Sequence, residues 1–282
     1  MNIQSICVCG AGTMGSGIAQ AAAQAGIHTI LFDLNPEVIS RANTSIHKNL
    51  ENLVSKQKID AEEKYAILQR LHFTSDLQEC LADLFIEAII ENLEAKHSLF
   101  NQLAEINHGE CIFASNTSSL SIEKLASQIR EPGRVIGMHF FNPATIMKLV
   151  EIITTSYTSA STIETVLELN RLMGKTPVIC RDSPGFIVNR VARPYYIESQ
   201  RLVEDGYGTM EQVDKILEST GFKMGPFKLM DLIGNDINYS VSCSVYDQLG
   251  KPERLKPSAL QEEKLRSGKL GKKTGEGFYR YE

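Results

Sequence analysis

A histidine and a glutamate near the middle of the chain have the residue types of a general base and the acid that orients it. His139 ends an apolar run that begins at Val135, and Glu151 lies twelve residues later inside the apolar sequence LVEII. A lone ionised carboxylate is very costly to bury, so we expect Glu151 to pair with the histidine at the end of the neighbouring strand. Such a pair fixes the imidazole tautomer and raises its basicity, as a general base near neutral pH requires.

Two further groups of polar side chains follow changes in the apolar pattern. The hydroxyl and amide residues from Ser115 to Ser119, with Ser118 among them, follow a buried strand-like run. They either cap the next helix or contact a ligand at the carboxyl end of a strand. Asn189 is expected one turn into a helix, where asparagine is slightly unfavourable. It either donates to a substrate oxygen or makes a contact at a helix bend.

A dinucleotide fingerprint lies near the start of the chain. It has the spacing G-x-G-x-x-G and is formed by Gly10, Ala11, Gly12, Thr13, Met14 and Gly15. An apolar strand precedes it, a helix of small residues follows, and a second apolar run ends in Asp33, so the stretch reads as a β-α-β unit. The glycines permit a tight turn, close approach to a pyrophosphate and close helix packing, while Asp33 suits an adenosine ribose. No arginine follows Asp33 to accept a 2′-phosphate, so NAD is favoured over NADP. A plain glycine-rich turn is the alternative, and the whole pattern argues against it.

The elements that position these residues alternate between strand and helix patterns as far as residue 183. Strands are expected at 84–90, 111–115, 134–138, 149–153 and 176–180, with helices at 93–106, 122–129 and 161–173. This alternation predicts an α/β fold with a mostly parallel sheet. A charged helical pair at about 36–70 is longer than a dinucleotide fold needs, and it is either a solvated face or a substrate-facing insertion.

The strand and helix patterns stop alternating at a predicted turn, RDSPG at residues 181–185, and only helical patterns follow it. Helices are expected at 186–205, 210–219, 226–250 in one or two pieces, and 259–267. We therefore expect two domains, 1–183 and 184–282, the second of them helical. Its many apolar residues either fill one core or form a two-fold interface, and we expect a homodimer through this domain.

Composition excludes several classes of protein. The chain has 282 residues, 43% of them hydrophobic, and a net charge of −5, which argues against a general nucleic-acid binder. Its six cysteines lack metal-ligand spacing, so we expect core thiols and no metal. No apolar run approaches membrane-spanning length, and the fingerprint begins too early to leave room for a targeting segment. We expect a cytoplasmic protein that does not bind a membrane.

Six motifs in order carry a family resemblance. They are GAGTMGSGIA, ENLEAK, SNTSSLSI, GMHFFNPATIMKLVE, DSPGFIVNR and GKKTGEGFYRY. Together they cover nearly the whole chain, which closely resembles the short-chain L-3-hydroxyacyl-CoA dehydrogenase family, including bacterial 3-hydroxybutyryl-CoA dehydrogenases. The resemblance implies a Rossmann-type NAD-binding domain followed by an all-helical C-terminal dimerisation domain.

The resemblance also implies roles for individual residues. His139 is similar to the catalytic base of the family and Glu151 to its orienting acid, while Ser118 and Asn189 are similar to the groups that hold the reacting oxygen. The positions that match those lining NAD are Asp33, Glu91, Lys96, Ser118, Asn142 and Lys273. Lys56 matches a coenzyme A contact, and Asn49 stands where family members often carry serine, so its own substrate contact would be made through an amide.

The reaction implied is the reversible oxidation of an (S)-3-hydroxyacyl-CoA, expected to be short-chain such as 3-hydroxybutyryl-CoA, to the 3-ketoacyl-CoA. One alternative is an NAD-dependent dehydrogenase of a free 3-hydroxy acid, similar to a gulonate dehydrogenase. Another is a non-catalytic dinucleotide-binding or structural protein on the same fold, as lens crystallins related to this family are. Phe140 and Phe141 beside His139 favour the thioester substrate, and the intact polar set formed by His139, Glu151, Ser118 and Asn189 argues against a non-catalytic role.

Overall fold

The structure is a computed structural model that describes residues 3–108 and 111–281. Its contacts divide the chain into two compact units, and the chain passes from the first to the second between Asp182 and Ser183. The functional domains expected at 1–183 and 184–282 stay a prediction. No helix in the described ranges is both long and apolar enough to cross a membrane.

The first unit is built on an eight-stranded sheet. Its strands are β1 (Ser5–Cys9), β2 (His28–Phe32), β3 (Leu71–Thr74), β4 (Leu84–Glu87), β5 (Ile112–Ser115), β6 (Val135–Phe140), β7 (Leu149–Thr154) and β8 (Thr176–Arg181). The strand order is β3-β2-β1-β4-β5-β6-β7-β8. Strands β6 and β7 pair antiparallel, whereas the other neighbours pair parallel. The expected mostly parallel α/β sheet is confirmed.

Six α-helices connect these strands in the part of the unit that the structure describes. They are α1 (Thr13–Gln24), α2 (Pro36–Ser55), α3 (Ala61–Gln69), α4 (Leu93–Ile106), α5 (Ile122–Ala126) and α6 (Ala160–Leu172), with one-turn 3-10 helices at Leu77–Glu79 and Pro132–Arg134. Asn35 caps α2, because its side chain accepts a hydrogen bond from the Glu37 N–H at 2.9 Å, and Pro36 occupies the first turn. The charged helical pair expected near 36–70 is α2 and α3.

Strand β3 was not expected from the sequence. It has four residues, Leu-His-Phe-Thr, and pairs with β2 at the edge of the sheet. Because an edge strand packs fewer side chains into the core, β3 carries no apolar run of the kind that identified the central strands. Helices α2 and α3 therefore form part of the connection between two neighbouring parallel strands.

The central strands form the core of the first unit. Ile6, Cys7, Val8 and Cys9 are all fully buried in β1, as expected for a parallel strand covered on both faces. The sulfur atoms of Cys7 and Cys9 lie 3.8 Å apart without a disulfide. Burial raises the pKa of the Cys7 thiol well above its usual value, which keeps it protonated. The cysteines of β1 are therefore core thiols, as expected.

The second unit is helical. Its α-helices are α7 (Val188–Glu204), α8 (Met210–Ser219), α9 (Pro226–Ile233), α10 (Asn235–Gln248) and α11 (Ala259–Arg266), with one-turn 3-10 helices at Glu253–Leu255 and Lys272–Thr274. The prediction of a helical second domain is confirmed. The expected start of its first helix at Phe186 is wrong, since α7 begins at Val188. Asn189 therefore lies in the first turn of α7, where a helix interior penalty does not apply.

A buried aspartate anchors the tail of this unit. Asp231 accepts hydrogen bonds from the backbone N–H groups of Phe278 and Tyr279 and from the Tyr281 hydroxyl, each at 2.9 Å. Asp231 is 1% exposed. A buried carboxylate needs several donors, and the tail supplies three of them. Phe278 and Tyr279 of the GEGFYRY sequence also pack, partly buried, against the core of the second unit.

Candidate active site

His139 and Glu151 lie directly opposite each other on the antiparallel strands β6 and β7. Directly opposite side chains of an antiparallel pair share one face of the sheet and lie close together. Nδ1 of His139 is 2.7 Å from Oε2 of Glu151, and the two side chains are 8% and 1% exposed. The expected pairing of the two residues is confirmed by this contact, while the catalytic role of each stays a prediction.

The donor and the acceptor of this hydrogen bond follow from the chemistry of the two groups. An ionised carboxylate only accepts hydrogen bonds, so Nδ1 of His139 carries the proton that it shares with Glu151. The basic lone pair of the neutral ring then belongs to Nε2. Phe141 lies against the imidazole, with ring centroids 4.6 Å apart. A proton taken from a ligand by the neutral ring would go to Nε2.

The loop after β5 is tied to the end of β6 next to His139. Oδ1 of Asn116 accepts a hydrogen bond from the Phe140 N–H at 2.9 Å. The segment that carries Ser118 therefore lies at the same edge of the sheet as the His139 pair. The sequence indicated this segment as a unit but gave no specific role to Asn116, which can be recognised as an amide directly after a buried strand.

Glu91 holds the same loop from the other side. Its Oε1 accepts hydrogen bonds from the Thr117 hydroxyl at 2.5 Å, from the Ser118 N–H at 3.1 Å and from the Ser119 hydroxyl at 3.1 Å. Burial opposes ionisation of Glu91, but the nearby Lys96 and these hydrogen bonds together lower its pKa. Glu91 is therefore a carboxylate anion that fixes the backbone around Ser118.

Lys96 lies beneath Glu91 and also pairs with Glu87. Its Nζ is 3.1 Å from Oε2 of Glu91 and binds Oε1 of Glu87, and the lysine side chain is 1% exposed. The predicted place of Lys96 among the residues that line a dinucleotide stays a prediction. In the structure, its ammonium group is buried and holds Glu91.

Glu87 was missed by the sequence analysis. It ends β4, is fully buried, and accepts a hydrogen bond from the Ser115 hydroxyl at 3.2 Å. Burial raises the pKa of Glu87 to about 7, although the attraction of Lys96 opposes this shift. A carboxylate at the end of an apolar run was the signal that could have identified it.

The glycine fingerprint forms the turn between β1 and α1. Gly10 has a φ of 99°, and its N–H donates to the Phe32 carbonyl at 2.7 Å. A Cβ on Gly15 would lie 1.7 Å from the Gly10 carbonyl oxygen, so only glycine fits there. A Cβ on Gly12 would meet nothing within 4 Å, which shows open space beside the first turn of α1. Thr13 and Met14 follow in that turn. The N–H groups in the first turn of a helix suit an anion, and the pyrophosphate contact stays a prediction.

Asp33 joins the end of β2 to this turn. Its Oδ2 accepts a hydrogen bond from the Ala11 N–H at 2.9 Å, and its Oδ1 accepts one from the Asn35 N–H at 2.9 Å. Each carboxylate oxygen has a second lone pair, so ribose hydroxyls can still bind. The ribose contact stays a prediction.

A cleft of about 410 Å³ opens beside the fingerprint. Its walls include Gly12 and Thr13 from the turn, Arg41 and Asn49 from α2, and Asn142 from the loop after β6. Asn49 also donates to Oε1 of Gln20 at 3.3 Å. Two residues with different predicted roles, Asn49 for substrate and Asn142 for cofactor, thus border one cleft. Lys56 caps the far end of α2 and is exposed.

Two predicted site residues belong to the second unit. Asn189 lies in the first turn of α7, and its carbonyl accepts a hydrogen bond from Nε of Arg193 at 2.9 Å. Lys273 lies in the one-turn helix Lys272–Thr274, where its Nζ is 2.6 Å from Oδ1 of Asp236. Their predicted contacts with substrate and dinucleotide stay predictions. Within 3–108 and 111–281, no group of three His, Cys, Asp or Glu residues could hold a metal ion.

Two family models together match almost the whole chain. Residues 5–183 match the model described as 3-hydroxyacyl-CoA dehydrogenase, NAD binding domain, and residues 185–281 match the model described as 3-hydroxyacyl-CoA dehydrogenase, C-terminal domain.

The chain is also similar to proteins and solved structures that are named as dehydrogenases of 3-hydroxyacyl-CoA compounds. The 3-hydroxyadipyl-CoA dehydrogenase of Escherichia coli is 45% identical over 99% of this chain, which spans 59% of that protein's length. A protein of Deinococcus radiodurans named "Probable 3-hydroxybutyryl-CoA dehydrogenase" is 42% identical over 97% of this chain and 99% of its own. The crystal structure of (S)-3-hydroxybutyryl-CoA dehydrogenase PaaH1 from Ralstonia eutropha is 35% identical, covers 100% of both chains and has a TM-score of 0.95.

These matches agree with the expected resemblance and with the site geometry. The model of the NAD-binding domain covers the fingerprint, Asp33 and the His139 pair, so the cofactor of this domain is NAD. The second model covers the helical unit that contains Asn189 and Lys273. By both domains and by its full-length relatives, the chain belongs to the 3-hydroxyacyl-CoA dehydrogenase family.

Proposed function

We propose that the protein catalyses the reversible, NAD-dependent oxidation of a short-chain (S)-3-hydroxyacyl-CoA, such as 3-hydroxybutyryl-CoA, to the 3-ketoacyl-CoA. Membership of the family supports the class of reaction. The observation that carries the proposal for this chain is the 2.7 Å contact between Nδ1 of His139 and Oε2 of Glu151. It leaves an oriented base at the end of a sheet whose first turn suits a dinucleotide.

In the oxidation, Nε2 of His139 takes the proton of the substrate hydroxyl. Bound NAD supplies the acceptor for the hydride that leaves substrate C3. Glu151 stabilises the imidazolium that results, because its carboxylate already binds Nδ1. In the reduction, His139 returns the proton to the oxygen that becomes the hydroxyl. One hydride and one proton thus leave the alcohol, and a ketone is formed.

Ser118 and Asn189 are proposed to donate hydrogen bonds to the oxygen on which charge develops, where such donors contribute most to catalysis. The support for Ser118 is the rigidity of its loop, because Glu91 accepts the Ser118 N–H and Lys96 holds Glu91. Asn189 has the support of the family resemblance and of its place in the first turn of α7.

The remaining assignments concern the cofactor and the coenzyme A group. The pyrophosphate of NAD is proposed to lie at the turn of Gly10, Gly12, Thr13, Met14 and Gly15, with the ribose on Asp33. Glu91, Lys96, Ser118, Asn142 and Lys273 are proposed to line the dinucleotide, and the contact of Lys96 with Glu91 supports this placement. Asn49 and Lys56 are proposed to contact coenzyme A, and Asn49 already borders the cleft beside the fingerprint.

We propose a cytoplasmic homodimer that forms through the helical domain. Several large apolar side chains of the second unit are exposed, among them Val191 at 70%, Ile216 at 63%, Leu232 at 51% and Ile237 at 51%. Exposed apolar surface of this kind is typical of an interaction site. The mass of the protein in solution, measured by light scattering, tests this proposal.

The reaction is tested by mixing the purified protein with NADH and acetoacetyl-CoA and following the loss of NADH absorbance. We expect turnover of the thioester and none of free acetoacetate. Turnover of the free acid instead would assign the protein to the free 3-hydroxy acid dehydrogenases. Binding of NADH without turnover of either compound would assign it a non-catalytic role.

A further inference from the structure

A buried arginine that the proposed reaction does not use lies one turn after Asn189. Arg193 of α7 is 2% exposed, and all its partners are neutral. Its Nε donates to the Asn189 carbonyl at 2.9 Å, and its Nη1 donates to the Asn238 carbonyl at 3.0 Å and to the Ser242 hydroxyl at 2.8 Å. The guanidinium carbon lies 5.0 Å from the centre of the Tyr196 ring.

Arg193 has no carboxylate partner within the described part of the chain. Burial lowers the pKa of its guanidinium to about 10, so the group still carries a full charge at neutral pH. A buried cation is costly without an anion. Carbonyls, a hydroxyl and an aromatic face offset part of this cost, but no negative charge on any described residue lies within ion-pair distance.

One nitrogen of the guanidinium has no hydrogen-bond partner among the described residues. Nη2 makes no hydrogen bond to any described residue, whereas Nε and Nη1 are occupied. Nη2 is not one of the side-chain atoms of the described chain that lack both solvent contact and a hydrogen-bond partner. Since it has no hydrogen-bond partner, it must have some contact with solvent. An anion at this nitrogen would gain a charge-assisted hydrogen bond in a nearly dry environment.

The position of Arg193 along α7 fits one end of a short acyl chain. Residues four apart share a helix face and are separated by about 6 Å along the axis. Asn189 is proposed to hold the oxygen on substrate C3. In a six-carbon dicarboxylyl chain the terminal carboxyl carbon is three bonds beyond C3, or about 4 Å away when extended. Nε of Arg193 contacts the Asn189 carbonyl at 2.9 Å, so the guanidinium lies beside the residue proposed to hold the oxygen on C3, and a short chain that extends along α7 from that oxygen would end near Arg193.

We propose that Arg193 binds the distal carboxylate of a dicarboxylyl-CoA substrate, so that the enzyme prefers a six-carbon 3-hydroxyacyl chain ending in a carboxylate, such as 3-hydroxyadipyl-CoA, over an unsubstituted chain of the same length. The inference rests on the proposed function and refines its substrate. Arginine suits this task because its guanidinium stays charged when buried and Nη2 can still donate to a carboxylate oxygen. A role in joining α7 to α10 alone would instead affect all substrates alike.

The experiment compares three 3-ketoacyl-CoA esters with NADH: acetoacetyl-CoA, 3-ketohexanoyl-CoA and 3-ketoadipyl-CoA. The two six-carbon esters differ only at the distal group, which isolates the carboxylate from chain length. For the wild type we expect kcat/KM to be about 100-fold higher with 3-ketoadipyl-CoA than with 3-ketohexanoyl-CoA. Equal values for these two esters would overturn the inference without any variant.

The variants Arg193→Met and Arg193→Lys separate specificity from structure. Arg193→Met should lose about 100-fold in kcat/KM with 3-ketoadipyl-CoA, mainly through KM, and change little with the other two esters. Arg193→Lys keeps a charge and should lose less. The matched control is Arg201→Met, which removes a guanidinium from the same helix where it pairs with Glu198, and it should leave all three values unchanged.

The possible outcomes are distinct. An equal loss of kcat/KM with all three esters in Arg193→Met would identify a structural arginine and overturn the inference. If Arg193→Met does not fold, the wild-type comparison and Arg193→Lys decide, and an equal loss across the esters in Arg193→Lys has the same meaning. Turnover of acetoacetyl-CoA without a preference for the dicarboxylyl ester overturns the inference alone. Absence of turnover with every ester overturns the proposed function as well.

Discussion

Nδ1 of His139 lies 2.7 Å from Oε2 of Glu151 because the two residues are direct partners in the antiparallel pair of β6 and β7. The register of this pair sets a carboxylate from the interior of β7 against a histidine near the end of β6. The contact is buried and involves a charge, so its loss should have a large effect.

Glu151→Gln should lower kcat by about two to four orders of magnitude, because an amide can neither fix the tautomer nor stabilise the imidazolium. His139→Ala should lose at least as much. The affinity for NADH, measured by fluorescence titration, should be nearly unchanged in both. The matched control is Glu79→Gln, since Glu79 forms a 2.7 Å pair with His72 on the exposed edge of the sheet. A Glu151→Gln variant with most of its activity would remove the proposed roles.

Lys96→Met should destabilise the protein by about 3–5 kcal/mol, because it leaves the buried Glu87 and the adjacent Glu91 without their cation. It should also lower kcat, since Glu91 then no longer holds the Ser118 loop in place. Urea unfolding and steady-state kinetics measure the two effects. Lys64→Met breaks the more exposed pair with Glu51 and should cost less than about 1 kcal/mol. Equal stability of the two variants would contradict the assigned role of Lys96.

Asp33→Ala should weaken NAD binding about 10- to 100-fold, since it removes both the proposed ribose acceptor and the acceptor of the Ala11 N–H. Calorimetric titration with NAD gives the affinity. Asp60→Ala is the control, because Asp60 caps α3 away from the fingerprint. That variant should lose about 1 kcal/mol of stability and keep its affinity for NAD. Unchanged NAD affinity in Asp33→Ala would refute the ribose assignment.

Glu87 should make the stability of the protein depend on pH. Burial raises the pKa of its carboxyl from 4.5 to about 7, so the folded protein binds a proton there that the unfolded chain has lost. This contribution is fully present below pH 4.5 and is lost as the pH rises through about 7. Glu87→Gln lacks the titration. The unfolding free energy of the wild type minus that of the variant should therefore fall across this window, and a constant difference would show that Glu87 does not titrate there.

The residues that the sequence identified share one property. His139, Glu151, Asp33 and the fingerprint glycines all adjoin apolar runs, so their place at strand ends followed from the pattern alone. The pairing of His139 with Glu151 could be predicted because a buried carboxylate needs a partner.

The residues that the sequence did not identify depend on three-dimensional packing. Arg193 lies in a helix with many charged residues, and nothing in its spacing distinguishes it from a solvated side chain. Its burial arises from neighbours that are distant in the chain, such as Ser242. The direction of β7 was equally hidden, since an apolar run carries no mark of the strand beside it. Strand β3 was missed because four alternating residues are too few to show a period.

The tail of the helical unit has a consequence for the order in which the protein folds. Asp231 binds Phe278, Tyr279 and Tyr281, which lie 47–50 residues further along the chain. During synthesis the first unit can fold while the rest of the chain is still being translated, since domains made earlier fold as units. Asp231 cannot gain these three donors until Tyr281 has been synthesised and has left the ribosome. Its carboxylate therefore stays without them throughout translation of α10 and α11.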